Sequence, residues 1–280
     1  MLSPMEYCGR TFGASDLDLI RGLIEKGMNR TGLSRAFCEE TGWRKPDGGL
    51  KEMSCRVALL RMEKDGLILL PVPQRPTNNG QKKPKGLLFP LPLPDIHDID
   101  AIDIELTNKR TSALWNAYIE QHHYLGYTPL PGAQLRYLVR SEGQIVALLS
   151  FSAAAWKCAP RDDFIGWDSP TRKKNLHFVV DNSRFLILAR HQNLASRILS
   201  RVARRIASDW RARYGYEPLL LETFVEKERF TGGCYKASNW TMVGETKGRG
   251  KLDVHHEHKL PVKTVWLYPL RKDFRKWLRG

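Results

Sequence analysis

Apolar residues recur at helical spacing three times within the first 65 positions of the chain. An apolar stripe with a period near 3.6 residues marks the buried face of a helix, so this pattern predicts helices over 14–28, 33–41 and 50–65. Gly42 and Gly66 follow the last two segments, as expected where helices end. In the third helix the residues predicted to form the apolar stripe are Met53, Val57, Leu60 and Met62.

Two short apolar runs, at 67–70 and 87–89, follow the third helix and predict a pair of strands joined by a polar tip. Three short helices followed by a hairpin is the element order of a winged helix-turn-helix, so we assign residues 1–89 to such a domain. The third helix is then the recognition element. A small helical cap or a dimerisation arm stays open as the alternative. The basic residues predicted to contact nucleic acid are Arg56, Arg61, Arg75, Lys82, Lys83 and Lys85.

Prolines at 90, 92 and 94 predict an extended linker over 90–100, followed by a second domain over 101–280. In that domain strands and helices alternate, which indicates an α/β (α+β) class with a mixed sheet. The predicted helices cover 108–122, 193–214 and 232–239. The predicted strands cover 135–139, 145–151, 183–188, 218–225, 240–246 and 264–268.

Charge narrows the class of partner. The chain has 280 residues, 45 Lys and Arg against 30 Asp and Glu, and a formal net charge of +15. An excess of this size favours a polyanionic partner, and DNA is the first expectation, with RNA and an anionic membrane surface as alternatives. No apolar run is long enough to span a membrane. Five scattered cysteines and the absence of a secretion signal indicate a cytoplasmic protein with reduced thiols.

Six sequence stretches, in one order, resemble the DruA family of Druantia anti-phage defence systems, whose domain also occurs beside transposases. This resemblance implies a role in defence or in mobile elements, DNA as a partner, and other defence proteins such as a helicase as companions. The stretches are 123–127, 135–139, 181–188, 193–196, 221–225 and 234–240.

The second domain also resembles the GNAT acyltransferase superfamily in its element order. Residues 190–195 resemble the superfamily's motif before its central helix. Arg190 and Ala195 match it, and Asn193 stands where a Gly is expected. The resemblance implies that this loop and Ser196 offer backbone N–H groups to the pyrophosphate of acetyl-coenzyme A. Tyr235, five residues before Trp240, resembles the Tyr that often acts as a general acid there.

Four residues are candidates for catalysis, and each has a structural alternative. His123, at a helix end, is a general base, a nucleic-acid contact or a cation that stabilises the helix terminus. Glu222, inside an apolar strand, is a general base with a raised pKa or the buried partner of Arg184. Arg184 otherwise holds a phosphate. Tyr235 is an acid or a core aromatic residue.

The predicted helix over 193–214 carries a second candidate surface. Its basic side offers a phosphate track, with a solvated charged face as the alternative. Asn193 and Ser196 are either helix caps or anion ligands. A metal site at 255–258 is considered and set aside, because a polar loop explains these residues better. The residues of the predicted track are Arg197, Arg201, Arg204 and Arg205.

Three functions follow. The first is a DNA-binding defence component whose second domain modifies nucleic acid or keeps only the fold. The second is a nuclease that uses His123, Glu222 and Arg184. The third is a binding adaptor that recruits a helicase or transposase, in which His123, Glu222 and Tyr235 do not share a cleft. A V-shaped opening between the strands at 183–188 and 219–225, with residues 190–196 at its rim, favours the first.

Overall fold

The structure is a computed structural model, and it describes residues 4–74, 96, 98–99, 101–130, 132–248 and 260–280. Contacts divide the chain into two compact units, Met1–Gln81 and Lys82–Gly280. None of the helices in the described ranges is long and apolar enough to cross a membrane.

The first unit contains the three predicted helices and a short hairpin that the sequence pattern did not predict. Asn29 caps the second helix, since its side chain accepts hydrogen bonds from the N–H groups of Thr31 and Gly32. An aromatic cluster of Phe12, Phe37 and Trp43 joins the hairpin to the helices. The elements are β1 (Met5–Tyr7), β2 (Arg10–Phe12), α1 (Ala14–Glu25), α2 (Arg30–Glu40) and α3 (Glu52–Lys64).

The buried face of α3 differs from the predicted one. Met53, Val57 and Leu60 are exposed, and only Met62 of the predicted stripe is buried. The core-facing residues also have helical spacing, so periodicity alone does not choose between the two faces. Small side chains on the observed face let α2 and α3 approach closely. The residues of that face are Cys55, Ala58, Leu59 and Met62.

The prediction of the first strand of the wing is also wrong. Residues 67–70 form no strand, although Ile68 and Leu70 are buried. Their segment packs back on α3: the N–H of Leu67 donates to the Met62 carbonyl, and the N–H of Leu70 donates to Glu63 Oε1. These bonds use the donors that a strand partner would need. The second predicted strand, at 87–89, lies outside the described residues, so the winged helix is not confirmed.

The second unit confirms the mixed α/β class. A seven-stranded sheet has the order β3-β4-β5-β6-β7-β9-β8, and all pairs are antiparallel except β6 with β7. The strands are β3 (Ile102–Leu106), β4 (Gln134–Ser141), β5 (Gln144–Ala153), β6 (Val179–Ile187), β7 (Leu220–Glu226), β8 (Thr241–Glu245) and β9 (Lys263–Pro269). The helices are α4 (Ser112–His122), α5 (Ala159–Ile165), α6 (Ser169–Asn175), α7 (Leu194–Tyr214), α8 (Gly233–Ala237) and α9 (Phe274–Arg279).

Helices cover both faces of this sheet. The main core lies on the face of α7, which buries Ile198, Val202 and Ile206 against the strands. On the other face, α4 packs over β4–β6, and α5 and α9 pack over β7 and β9. Both faces of the central strands are therefore buried.

The parallel pairing of β6 with β7 is short. Val179, Val180 and Asp181 pair with Leu220, Leu221 and Glu222, and the pairing stops there. A β-bulge lies at this point, because Phe151 of β5 pairs with Asn182 while the adjacent Ser150 pairs with Arg184. Ser183 is thus an extra residue, and bulges bend the strand that contains them. Beyond the bulge, β6 and β7 separate.

Gly232, at the start of α8, meets two constraints at once. Its φ of +74° lies in the left-handed region, and a Cβ built there would be 2.6 Å from the Trp266 ring. That ring is held by its Nε1–H, which donates to Thr264 Oγ1 at 2.9 Å. A side chain at this position therefore meets a neighbour that cannot easily move.

We expect Gly232→Ala to reduce the free energy of unfolding by about 2–4 kcal/mol, because backbone strain and overpacking add. Urea unfolding measures this change. Gly143→Ala is the matched control: Gly143 has a φ of +77° but no atom within 4 Å of its Cβ position, so only the backbone cost of about 1 kcal/mol applies. Equal losses in the two variants would contradict a role for the Trp266 contact.

Candidate functional site

A cleft of about 420 Å³ occupies the gap between β6 and β7. Residues from both faces of the sheet line it: those after α4 line one side, and those of α7 and α8 line the other. Among the residues that line it there is no carboxylate. The lining comprises His122, His123, Tyr124, Leu125, residues 182–187, Ala195, residues 223–225, Phe230, Gly232, Cys234 and Tyr235.

One side of the cleft is held by a hydrogen-bonded group around Asn182. Tyr235 donates its hydroxyl to Asn182 Oδ1 at 2.8 Å, and Asn182 Nδ2 donates to the Ser150 and Arg184 carbonyls. Thr223 Oγ1 donates to the Asn182 carbonyl, which links the two separating strands. Burial raises the pKa of Tyr235 above its usual value. Tyr235 is therefore a neutral donor at this side of the cleft.

Arg184 is the cation of the cleft. Its Nε donates to the Gly126 carbonyl at 3.3 Å and Nη1 donates to the Ser183 carbonyl at 2.7 Å. Within the described ranges no carboxylate forms an ion pair with it, so the predicted pairing with Glu222 is wrong. Burial lowers the pKa of Arg184, yet a guanidinium remains charged at neutral pH. Asp181 interacts with Arg184 electrostatically but forms no ion pair with it. A half-buried cation whose hydrogen-bond partners are backbone carbonyls favours an anionic ligand.

His123 faces the same cavity as a neutral side chain. Burial, with a smaller contribution from Arg184, lowers its pKa to about 4. Its Nδ1 accepts the N–H of Leu125 at 3.2 Å, so the neutral ring carries its proton on Nε2. The lowered pKa disfavours the alternative of a cation at the helix end, and we expect an uncharged His123 at neutral pH whose Nε2–H is a donor rather than a base.

Glu222 does not belong to the cleft. Its side chain is fully buried, with Oε2 accepting from Arg161 Nη1 at 2.9 Å and Oε1 accepting the N–H of Ala155 at 2.7 Å. Arg161 also binds Asp162, which receives Arg172. Side chains alternate across a strand, so Thr223 points towards the Asn182 group and Glu222 towards α5. The sequence missed Arg161 because α5 was not predicted.

Asp181, opposite Glu222 in the parallel register, is a second residue that the prediction missed. Its Oδ1 is buried and accepts no hydrogen bond from any described group. Burial raises its pKa well above the usual value, and the neighbouring Glu222 raises it further. The sequence did contain a signal for a buried carboxyl, because Asp181 lies between two apolar runs.

The start of α7 has the shape that the motif predicted. Asn193 adopts a left-handed conformation, φ +63°, at the position where Gly was expected, and its side chain makes no capping bond. Ser196 Oγ donates to the Asn193 carbonyl, so neither side chain caps the helix as expected. Ala195 lines the cleft, whereas Arg190 is exposed outside its lining. The first turn of α7 therefore lies beside the cavity, and the N-terminus of a helix is a place where proteins bind anions.

The predicted arginine track on α7 divides into two pairs. Arg201 Nη1 donates to the Ile102 carbonyl, and Arg205 binds the Ile104 carbonyl and Asp209. These two side chains thus hold the edge strand β3. Arg197 and Arg204 are exposed on the helix surface.

The predicted contacts of the first unit are partly described. Arg56 is half-buried, 3.7 Å from Glu52, and Arg61 is exposed on α3. Arg75, Lys82, Lys83, Lys85 and the cluster at 255–258 lie outside the described residues. No group of metal-binding side chains occurs in the ranges that the structure covers.

The second unit is thus a mixed α/β domain with a cation-lined cleft where two parallel strands separate. The family model described as Druantia protein DruA matches residues 62–258, which is more than two thirds of the chain. The chain belongs to the DruA family. No curated protein matches it.

Several solved structures are similar in fold. The ribosomal-protein-S18-alanine N-acetyltransferase of Escherichia coli has 11% identity and a TM-score of 0.38, covering 60% of this chain and 94% of its own. An N-acetyltransferase of Staphylococcus aureus Mu50 has 14% identity and a TM-score of 0.38, covering 61% of this chain and 99% of its own. A probable acetyltransferase of Staphylococcus epidermidis ATCC 12228 has 8% identity and a TM-score of 0.40, covering 60% of this chain and 98% of its own. Likenesses this remote identify neither a substrate nor a cofactor.

The position of Asp181 makes stability depend on pH. Because its pKa is raised in the fold, the folded state holds the proton more tightly than the unfolded state does, and stability falls as pH rises above the unfolded pKa of about 3.9. We expect Asp181→Asn to stabilise the protein by about 1–3 kcal/mol at pH 8 and to have little effect near pH 4. Thermal unfolding at both pH values tests this.

Asp163→Asn, which neutralises an exposed carboxylate on α5, is the control for the change in net charge. A loss of stability in Asp181→Asn of the same size at both pH values would contradict the argument.

Proposed function

We propose that this DruA-family protein is a DNA-binding component of an anti-phage defence system and that the cleft between β6 and β7 is where its second unit engages DNA. The observation that carries this proposal is Arg184, a half-buried guanidinium that forms no ion pair with a described carboxylate and lies in a cavity whose lining includes no acid. Such a site favours an anion, and a chain with a net charge of +15 favours a polyanion.

The stretches that carry the family resemblance support the same site. Five of the six contribute lining residues, and 135–139 is the exception. These stretches are far apart in sequence, and the fold brings them together around one cavity. A shared function in the family is therefore best sought there.

The geometry disfavours the nuclease alternative. Glu222 is bound by Arg161 on the face of α5 and is outside the cleft. His123 is neutral with its Nδ1 lone pair in use, so it is a poor base. A hydrolytic site at this cleft would lack both its carboxylate and its base. His123 and Tyr235 line the cleft and Glu222 does not, which agrees with the adaptor alternative, in which these three residues do not share a cleft.

Acyl transfer is the second candidate, and the start of α7 is the observation that favours it. The residues fit the group: Asn193 supplies the left-handed turn, and the N–H groups of Ala195 and Ser196, in the first turn of α7, would receive a pyrophosphate. Acetyl-coenzyme A, when bound, would supply an activated acyl group. Tyr235, as a neutral hydroxyl beside the cavity, would be the proton donor of this chain after its hydrogen bond to Asn182 is broken.

The test is a titration of labelled single- and double-stranded DNA over a range of salt concentrations, with and without acetyl-coenzyme A. We expect wild-type affinity to fall steeply with salt, because bound phosphates release counterions. Arg184→Gln is expected to weaken binding about tenfold, the effect of one charged hydrogen bond. It should also reduce the slope of log affinity against log salt by about one. In cells with the complete defence system, this variant should protect less against phage.

Arg110→Gln is the matched control, since it removes the same charge from an exposed position before α4. Equal effects of the two substitutions would mean that only net charge matters, and the cleft would lose its role. A response of the DNA affinity to acetyl-coenzyme A would favour acyl transfer, and no response would favour binding alone.

A further inference from the structure

The mouth of the cleft carries two partly exposed aromatic side chains that the preceding argument does not use. Tyr124 is 38% exposed and Phe230 is 48% exposed, and their ring centroids lie 5.4 Å apart. The guanidinium of Arg229 lies 4.9 Å from the centroid of the Tyr124 ring. We call Tyr124, Phe230 and Arg229 the aromatic rim.

The aromatic rim is held in place by its neighbours. The His123 ring stacks on Tyr124, with centroids 4.9 Å apart and an angle of 26° between planes. Arg229 lies 3.9 Å from Glu226, so its guanidinium is oriented from the strand side. Rings that are already ordered lose little entropy when a flat ligand stacks on them.

The composition of the aromatic rim, together with the cleft below it, selects one class of occupant. Aromatic faces and a guanidinium plane stack on nucleobases, which are flat and carry π-faces. Arg184, inside the cleft, provides a cation for an anionic group attached to the base. An aromatic side chain of a partner protein would use the rings but would leave Arg184 without an anion.

We propose that an unpaired nucleobase of single-stranded DNA stacks on the aromatic rim while a phosphate of its strand contacts Arg184. This inference rests on the proposed function and specifies its substrate class. Bases inside a duplex have no free faces, so a duplex must open or extrude a nucleotide before it binds in this way. The protein therefore prefers single-stranded DNA.

The probe is a thymine oligonucleotide with one central 2-aminopurine, whose fluorescence falls when the base stacks. We expect wild-type protein to quench it and to bind it more tightly than the corresponding duplex. An oligonucleotide with an abasic site in place of each base should bind about tenfold more weakly, within the range for loss of base–aromatic stacking.

Variants separate stacking from charge. Phe230→Leu and Tyr124→Leu should each lose quenching and about tenfold in affinity, with an unchanged salt dependence, because neither removes a charge. Tyr124→Phe keeps the ring and should behave as wild type. Trp156→Leu is the matched control, since Trp156 is 52% exposed and does not line the cleft.

Four results would overturn the inference. Equal binding of the abasic and base-containing strands would show that no base stacks on the aromatic rim, and so would full affinity of the Phe230→Leu variant. If Arg184→Gln still bound DNA more weakly than wild type, the cleft would remain an anion site. If acetyl-coenzyme A restored the fluorescence of the bound probe by displacing its base, the aromatic rim would be assigned to the adenine of the coenzyme. Failure to bind DNA of any form would overturn the proposed function and this inference with it.

Discussion

The separation of β6 from β7 is the constraint on which the candidate site depends. A sheet that kept the parallel pairing beyond Asp181 and Glu222 would close the gap with ladder hydrogen bonds and leave no cavity. The bulge at Ser183 prevents this by adding one residue to β6. It also shifts the alternation of side chains, so that Asn182 reaches Tyr235 while Arg184 reaches the loop after α4. One irregular residue thus places the donors of the cleft on its two sides.

Among the described residues, charged side chains are paired behind the cleft but not within it. Behind the cleft, Glu222 and Arg161 are both fully buried and paired, and such a pair resists the loss of either partner. Within the cleft, Arg184 has backbone partners only. The buried pair holds the Glu222 carboxylate on the side of α5, so Glu222 forms no ion pair with Arg184. A ligand that brings its own negative charge completes the arrangement.

The sequence predicted this unit to the extent that local patterns determine it. The stripe on α7 predicted the helix within one residue of its start, the alternation at 135–139 predicted β4, and the apolar runs at 145–151 and 218–225 predicted β5 and β7. The cleft lies between the strands at 183–188 and 219–225, where an opening is the feature that favours the first of the three functions. The edge strand β3 was missed although Ile102, Ile104 and Leu106 alternate, because acidic residues separate them and the segment follows a proline-rich stretch.

Partner choice was beyond sequence reasoning. Arg161 and Arg184 are both candidates for Glu222 by charge, and only the position of α5 decides between them. The same holds for α3, where two apolar stripes compete and packing against α2 selects one. Arg201 and Arg205 resemble a phosphate track until β3 is placed beside them. In each case the local signal is real, and the tertiary neighbour determines its meaning.

Photo-cross-linking tests the central claim, that the cleft contacts DNA, most directly. Single-stranded DNA with 4-thiothymidine would be irradiated with the intact protein, and the attached peptides identified by mass spectrometry. The account predicts cross-links within 123–127 and 228–235, the two segments at the mouth of the cleft, and their loss in Arg184→Gln. Cross-links confined to the unit Met1–Gln81 would contradict it, because the second unit would then bind no DNA through its cleft.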